Sequence, residues 1–306
     1  MEQIIGHQVA KHTLEVAAAG EHHVLMTGPP GCGKSMLAES FPSILPTLTK
    51  ESLLEVISLY QLSQNSFPHS NMPPYRNPHH SASGVSIIGG GQYPKPGEIS
   101  LAHHGVLFLD EIGEFSKKTL DMLRQPLENG LIMISRTHAT ITYPASFILI
   151  AAMNPCPCGY AGSTTHYCTC SKKQILAYQN RLSGPLRDRF DINLSLRPID
   201  FNVAAHKKEE EASKIVRERV EEARNRQYDR YGMEVCNSRI PYEILLSKSP
   251  LTNTQNSTLQ RLAIKESWSN RTQIKIIRLA RTISDLQASP TITDQSIWEA
   301  IEFNEV

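Results

Sequence analysis

The 306 residues are 40% hydrophobic and 20% charged, enough apolar material for a sizeable core, which excludes a wholly disordered chain. With 31 basic residues against 30 acidic the net charge is +1, so any binding of nucleic acid has to come from a local basic strip and not from bulk composition. No apolar run approaches the ~20 residues of a membrane-spanning helix, and the opening Met1-Glu2-Gln3-Ile4-Ile5-Gly6 lacks the basic-then-apolar order of a secretory signal; a soluble, cytoplasmic protein is expected.

Three short apolar runs in the first 200 residues, 22–27, 106–109 and 147–152, each end at chemically loaded residues. They read as buried parallel strands with functional C-terminal ends, the arrangement of open α/β sheets. The first runs directly into Gly28-Pro29-Pro30-Gly31-Cys32-Gly33-Lys34-Ser35, which satisfies G-x-x-x-x-G-K-[ST] and is followed by a predicted helix over 36–41 starting at Met36. Glycines let consecutive backbone N–H groups turn inward on a phosphate, the Lys34 ammonium reaches the β/γ-oxygens, and the Ser35 hydroxyl suits Mg²⁺, so ATP with magnesium is the expected ligand.

Residues 65–96 are rich in Pro, His, Ser and Gly and read as loop and hairpin, with strand-like character over 85–95. The second apolar run delivers Asp110 and Glu111: the first is placed to hold Mg²⁺ through water, the second to polarise the attacking water. Taken alone, two acids after a strand also fit a helix start. Strand-like character returns over 131–142. The third run ends at Asn154, whose amide could orient water beside the γ-phosphate or simply form a turn.

Four of the six cysteines follow at once, as Cys156-Pro157-Cys158 and Cys168-Thr169-Cys170, with His166 nearby. Four thiolates at this spacing could close a tetrahedral Zn²⁺ site; free thiols are the alternative. Further on, Arg187 and Arg189 flank Asp188, either as a solvated ion-pair cluster or with one arginine serving as a finger in a neighbour's active site. The pairs His79-His80 and His103-His104 suggest a metal, although paired loop histidines are more often hydrogen-bonded structure.

Beyond Pro198 the composition changes. Residues 201–306 hold 15 acidic and 16 basic residues, against 15 and 15 in the first 200, and one glycine, Gly232, of the 17 in the chain. A boundary therefore falls between an α/β domain at 1–200 and a small helical domain at 201–306, with helices expected over 203–231 and 273–286.

Several stretches resemble one family: Asn77-Pro78-His79-His80-Ser81-Ala82-Ser83, Pro96-Gly97-Glu98-Ile99-Ser100-Leu101-Ala102-His103, Gly105 through Glu111, Tyr143-Pro144-Ala145 and Asn154 through Gly159. The chain resembles AAA+ ATPases of the magnesium-chelatase-like group, within it the ComM/YifB proteins, from about residue 4 to residue 303. The resemblance implies a P-loop AAA+ core with a parallel sheet flanked by helices and inserted β-hairpins, then an all-α lid. It also implies a hexameric ring ATPase acting on DNA in branch migration. By the same resemblance Asn154 is the sensor-1 residue, Arg189 the arginine finger and Arg271 the sensor-2 arginine, while Ile5-Gly6-His7-Gln8 packs near the adenine. ComM-type proteins carry an N-terminal Lon-protease-like domain, which this sequence is expected to be without.

Hairpins at 85–95 and 131–142 would point into such a ring's pore. Lys95, Arg136 and His138 are then candidates for binding the phosphate backbone, against the plain reading of solvated surface. The expected function is a DNA-directed ATP-driven motor. The alternatives are a chelatase-type remodeller whose partner is a protein, and a slow nucleotide switch, against which Asp110, Glu111 and Arg189 argue.

Overall fold

A computed structural model describes the chain except residues 3, 68–69, 92–93, 137–138, 164–165, 199–210 and 305–306. Nine strands lie among the described residues: β1 (Val24–Thr27), β2 (Tyr75–Arg76), β3 (Gly89–Gly90), β4 (Lys95–Pro96), β5 (Val106–Leu109), β6 (Leu131–Arg136), β7 (Ala139–Pro144), β8 (Ile148–Met153) and β9 (Ile192–Ser195). Five of them make one parallel sheet in the order β2-β5-β8-β1-β9, and two antiparallel pairs, β3–β4 and β6–β7, stand apart from it. Successive strand residues face opposite sides of a sheet, and the cores divide accordingly. Val24, Met26, Val106, Phe108, Ile148, Ile150 and Ala152 enter one hydrophobic cluster. Leu25, Leu107, Leu109, Leu149, Ala151 and Met153 enter the other. Both faces are covered, which is why these strands are apolar throughout.

The helices are α1 (Gln8–Gly20), α2 (Lys34–Ser40), α3 (Lys50–Ser63), α4 (Gly84–Ile88), α5 (Glu98–Leu101), α6 (Lys117–Met122), α7 (Arg124–Asn129), α8 (Lys172–Gln179) and α9 (Gly184–Arg187). After them come α10 (Ser213–Tyr231), α11 (Tyr242–Lys248), α12 (Asn253–Lys265), α13 (Asn270–Leu286) and α14 (Asp294–Asn304). The architecture is a P-loop α/β core followed by an all-helical region. No described helix is long and apolar enough to cross a membrane.

The helical region is packed into the first cluster: Val216, Val220, Ile276, Leu279 and Ile283 join the apolar face formed by α1 and the sheet. A polar network is buried where the two regions meet. The fully buried Asp285 accepts from Arg230 (3.0 Å), Arg281 (3.1 Å) and the Asn237 amide (2.9 Å). Asn237 also donates to Thr282 at 3.0 Å, Thr282 lies 2.8 Å from His22 Nε2, and His22 Nδ1 is 3.4 Å from Asp191. Removing one partner of such a buried ionic group costs about 3–5 kcal/mol, so the network fixes how α13 sits on the sheet.

One expectation needs correcting. Residues 85–88, read as strand, belong to α4, because Ser83 caps it by accepting from Ser86 N at 3.1 Å and Ile87 is fully buried. The strand is only Gly89–Gly90, paired with Lys95–Pro96. Here glycine is required: a Cβ at Gly89 (φ 103°) would lie 2.3 Å from the Lys95 carbonyl oxygen.

Candidate functional site

The loop after β1 is shaped by close approaches. Gly28 N–H donates to Met153 O at 3.3 Å, and a Cβ on Gly28 would stand 2.7 Å from Leu196 O and 2.8 Å from Cys32 Sγ. Gly31 (φ 76°) and Gly33 (φ 87°) take left-handed backbone, which turns the chain into α2. Lys34 is buried, and its Nζ donates to Gly28 O (2.7 Å), Pro29 O (2.9 Å) and Asn154 Oδ1 (3.2 Å). Cys32 is buried in the loop, whereas Met36 in the first turn of α2 is exposed.

Because β8 lies between β1 and β5, Asn154 and Asp110 both rise beside the phosphate loop. Ser35 Oγ donates to Asp110 Oδ2 at 2.8 Å, and Asp110 Oδ1 accepts from Glu111 N–H at 2.9 Å. Octahedral magnesium with bonds of about 2.1 Å holds adjacent oxygens ~3 Å apart, so the Ser35 and Asp110 oxygens fit that ion. Glu111 stands in left-handed backbone (φ 49°, ψ 48°), an unfavourable conformation for a non-glycine residue, and presents an exposed carboxylate 3.9 Å from His80 Nδ1. Nothing in the sequence pointed to His80 as this carboxylate's neighbour.

The two arginines of 187–189 part company. Arg187 donates to Gln179 O at 3.0 Å. Arg189 lines a cleft of about 730 Å³ together with Arg239, Arg271, Lys275, Arg278 and Glu128. Its guanidinium is ion-paired with Glu128, which sits at the end of α7, directly before the β6–β7 hairpin; sequence reasoning missed that acid. The cleft flanks the N-terminal edge of the sheet, where Asp191 N–H donates to His23 O at 3.0 Å. The phosphate loop is at the opposite edge, beyond the four residues of β1, about 13 Å of strand. Arg189 and Arg271 are thus brought together, away from their own chain's phosphate loop.

Four sulfurs cluster after Asn154. Cys156 and Cys158 are 3.3 Å apart, Cys156 and Cys168 3.8 Å, and Cys158 and Cys168 3.6 Å; with Cys170 all lie within 4.8 Å of one another. A tetrahedral zinc with Zn–S bonds of about 2.3 Å needs sulfurs ~3.8 Å apart, so the donor set fits. Ala161 N–H donates to Cys156 Sγ at 3.2 Å, and the Tyr160 N–H directed at Cys158 draws that thiol's pKa down to about 6.

A second cluster, Glu55 with His103 and His104, does not suit a metal. His103 Nδ1 accepts from Ser146 N–H at 3.0 Å, which leaves the ring proton on Nε2, where it is donated to Glu55 at 2.9 Å. That nitrogen has no lone pair for an ion. His104 Nε2 meets the same carboxylate oxygen at 2.9 Å.

Of the DNA-contact candidates, Lys95 is exposed in β4 and donates to Gln64 Oε1 at 2.7 Å. Arg136 ends β6 opposite Ala139. His138 lies outside the described residues.

The family model for magnesium chelatase, subunit ChlI, matches residues 1–203, and that for the C-terminal part of the same subunit matches residues 210–304. The chain is 43% identical over 307 residues to the competence protein ComM of Haemophilus influenzae, covering 99% of this chain and 59% of that protein. It is 41% identical over 309 residues to the uncharacterised protein YifB of Salmonella typhimurium, covering 100% of this chain and 60% of the relative. It is 22% identical over 216 residues to magnesium-chelatase subunit ChlI of Mesostigma viride, covering 68% of this chain and 51% of the relative. The chain therefore spans about 60% of the length of the first two relatives.

Proposed function

Because this chain belongs to the magnesium-chelatase-like group of AAA+ ATPases, we propose that it hydrolyses Mg·ATP at the subunit interfaces of a homo-hexameric ring and uses the cycle to move DNA through the pore. Residues 1–200 serve as the nucleotide-binding domain and 201–306 as its helical lid. The observation that carries this reading is the position of Arg189 and Arg271, which share one cleft on the edge of the sheet remote from their own phosphate loop. Arginines that act on phosphoryl-transfer charge must reach it. From that position they would serve a neighbouring subunit's nucleotide.

Within one site, Gly28 through Met36 cradle the phosphates, and Lys34 exchanges the carbonyls of Gly28 and Pro29 for phosphate oxygens. Ser35 and Asp110 hold the magnesium, which supplies charge neutralisation on the phosphates when bound. Glu111 accepts the proton of the attacking water, and Asn154 orients that water beside the γ-phosphate. The neighbour's Arg189 and Arg271 stabilise the developing charge. Cys156, Cys158, Cys168 and Cys170 hold a structural zinc, four ligands leaving no open position for chemistry.

The DNA assignment is supported by the β6–β7 hairpin, which ends its first strand at Arg136, by the absence of any acid from the sequence between Leu131 and Tyr143, and by the relative named a competence protein. The match to the chelatase subunit favours the second reading, a ring that remodels a protein partner. ATPase assays of the intact chain with single-stranded, duplex and branched DNA separate the two: stimulation by DNA supports the first, and none by any DNA transfers the case to the second.

A further inference from the structure

We infer that the four-cysteine site controls nucleotide affinity, because the turn it holds is packed directly on the phosphate loop. The inference rests on the zinc reading above and extends it from a fold-holding role to a regulatory one.

The turn Cys156-Pro157-Cys158-Gly159 is closed by Gly159 N–H donating to Cys156 O at 2.9 Å. At its end, Gly159 takes φ 84°, and a Cβ there would lie 2.7 Å from Pro30 Cδ and 2.8 Å from Cγ. Glycine is needed twice, for the left-handed backbone and for the approach to Pro30. Pro30 follows Pro29, whose carbonyl accepts from Lys34 Nζ. From its other end the turn runs back through Pro155 to Asn154, whose Oδ1 accepts from the same ammonium. Both ends of the cysteine turn therefore lead to groups that position Lys34.

What fixes the turn is the sulfur cluster. Cys156 and Cys158 belong to the turn, and Cys168 and Cys170 reach it from across nine intervening residues. Thiol-to-thiol attractions are weak, and four thiolates within 4.8 Å repel one another unless a cation joins them. A bound zinc locks the second pair of cysteines to the turn and the turn to Pro30. Its loss frees Gly159 from Pro30 and lets Pro29 and Asn154 relax around Lys34.

The test uses the intact chain in excess Mg²⁺. Bound zinc is measured by elemental analysis, and the affinity for a fluorescent ADP analogue is measured before and after treatment with a zinc-selective chelator and after return of equimolar zinc. We expect about one zinc per chain, a loss of affinity of about tenfold on chelation, and recovery on zinc return. Gly159→Ala serves as the second variant, since it leaves all four thiols in place while its added methyl disturbs the packing against Pro30 and the left-handed backbone at the end of the turn. It should keep its zinc and lose a comparable part of the affinity, which decides the matter even if chelation unfolds the chain. A zinc-bearing protein whose ADP affinity is unmoved in Gly159→Ala and by chelation overturns the coupling alone. A metal-free protein of full stability overturns the zinc reading itself.

Discussion

The Ser35 hydroxyl and the Asp110 carboxylate meet at 2.8 Å although the strands that lead to them, β1 and β5, are not neighbours in the sheet. Their loops arch over the end of β8, and Asn154 rises between them at the point where Lys34 is held. Four side chains from three strand ends thus share one small volume.

This convergence gives the first prediction. Lys34→Ala should abolish tight ATP binding, because no other described side chain of the loop carries a cation. Glu111→Gln should bind ATP normally and turn over about 10²–10⁴-fold more slowly, as expected when a general base is removed. Nucleotide binding and steady-state hydrolysis, measured on both variants, check it; near-normal turnover in Glu111→Gln would remove that residue from its role.

Arg189→Ala and Arg271→Ala should each bind ATP and fail to hydrolyse it. Mixing Arg189→Ala with Lys34→Ala should partly restore hydrolysis, since some interfaces then pair an intact phosphate loop with an intact arginine. The measurement is ATPase activity across mixing ratios, with subunit exchange followed by a fluorescent label. Exchange without rescue would place the arginines' action within one chain.

DNA binding should depend on the hairpins and not on the helical region, whose 15 acids nearly balance its 16 basic residues. Lys95→Ala combined with Arg136→Ala should weaken binding and flatten its salt dependence, by about 0.9 in log–log slope for each duplex phosphate that is no longer neutralised. A titration series in increasing salt reads both quantities. An unchanged affinity and slope would move the DNA-binding surface elsewhere.

Stability should fall in acid in two stages. Burial holds His23 and His103 down to about 4, and each accepts a backbone N–H at Nδ1, from Leu149 and Ser146 respectively. Around His23 stand Asp191, Arg239, His22 and Glu21. Between pH 6.5 and 4 the unfolded chain binds protons that these two rings refuse, so stability is full above that window and declines as pH drops through it. Burial alone would raise Glu21, yet Arg224 and Arg239 hold it near 2, and Asp191 is held near 2 against burial by the adjacent His22 imidazole, 3.4 Å away. Their contribution is lost below about pH 4.5. Melting temperatures measured from neutral pH down to about pH 3 should show both stages, and His103→Gln should shallow the first; a flat profile down to about pH 4.5 would contradict the neutral-histidine assignment.

What could be read from the sequence was local. The phosphate loop, the acidic pair and the apolar strands are contiguous signals whose spacing carries the geometry, and the cysteines advertise themselves by proximity. The strand reading of 85–88 failed because β-branched residues there were outweighed by the Ser83 cap and the burial of Ile87. Nothing local announces that Arg271, far along the chain from Arg189, shares its cleft, that Glu128 pairs with Arg189, or that Gly159 touches Pro30. Those relations depend on where α13, α7 and the cysteine turn come to rest.

The buried network from Asp191 through His22, Thr282 and Asn237 to Asp285 also bears on heredity. Asp191 and His22 come from the sheet side, Thr282, Asn237 and Asp285 from the helical side, and the hydrogen bond between His22 and Thr282 is the joint. A recombination event that exchanged the last hundred or so residues for those of a distant relative would leave the fully buried His22 ring facing a surface not built for it, and an unmatched buried polar group is costly. The two regions are therefore constrained to be inherited as a matched pair, and chimaeras built by swapping the helical region should need compensating changes at His22 and Asp191 before they fold.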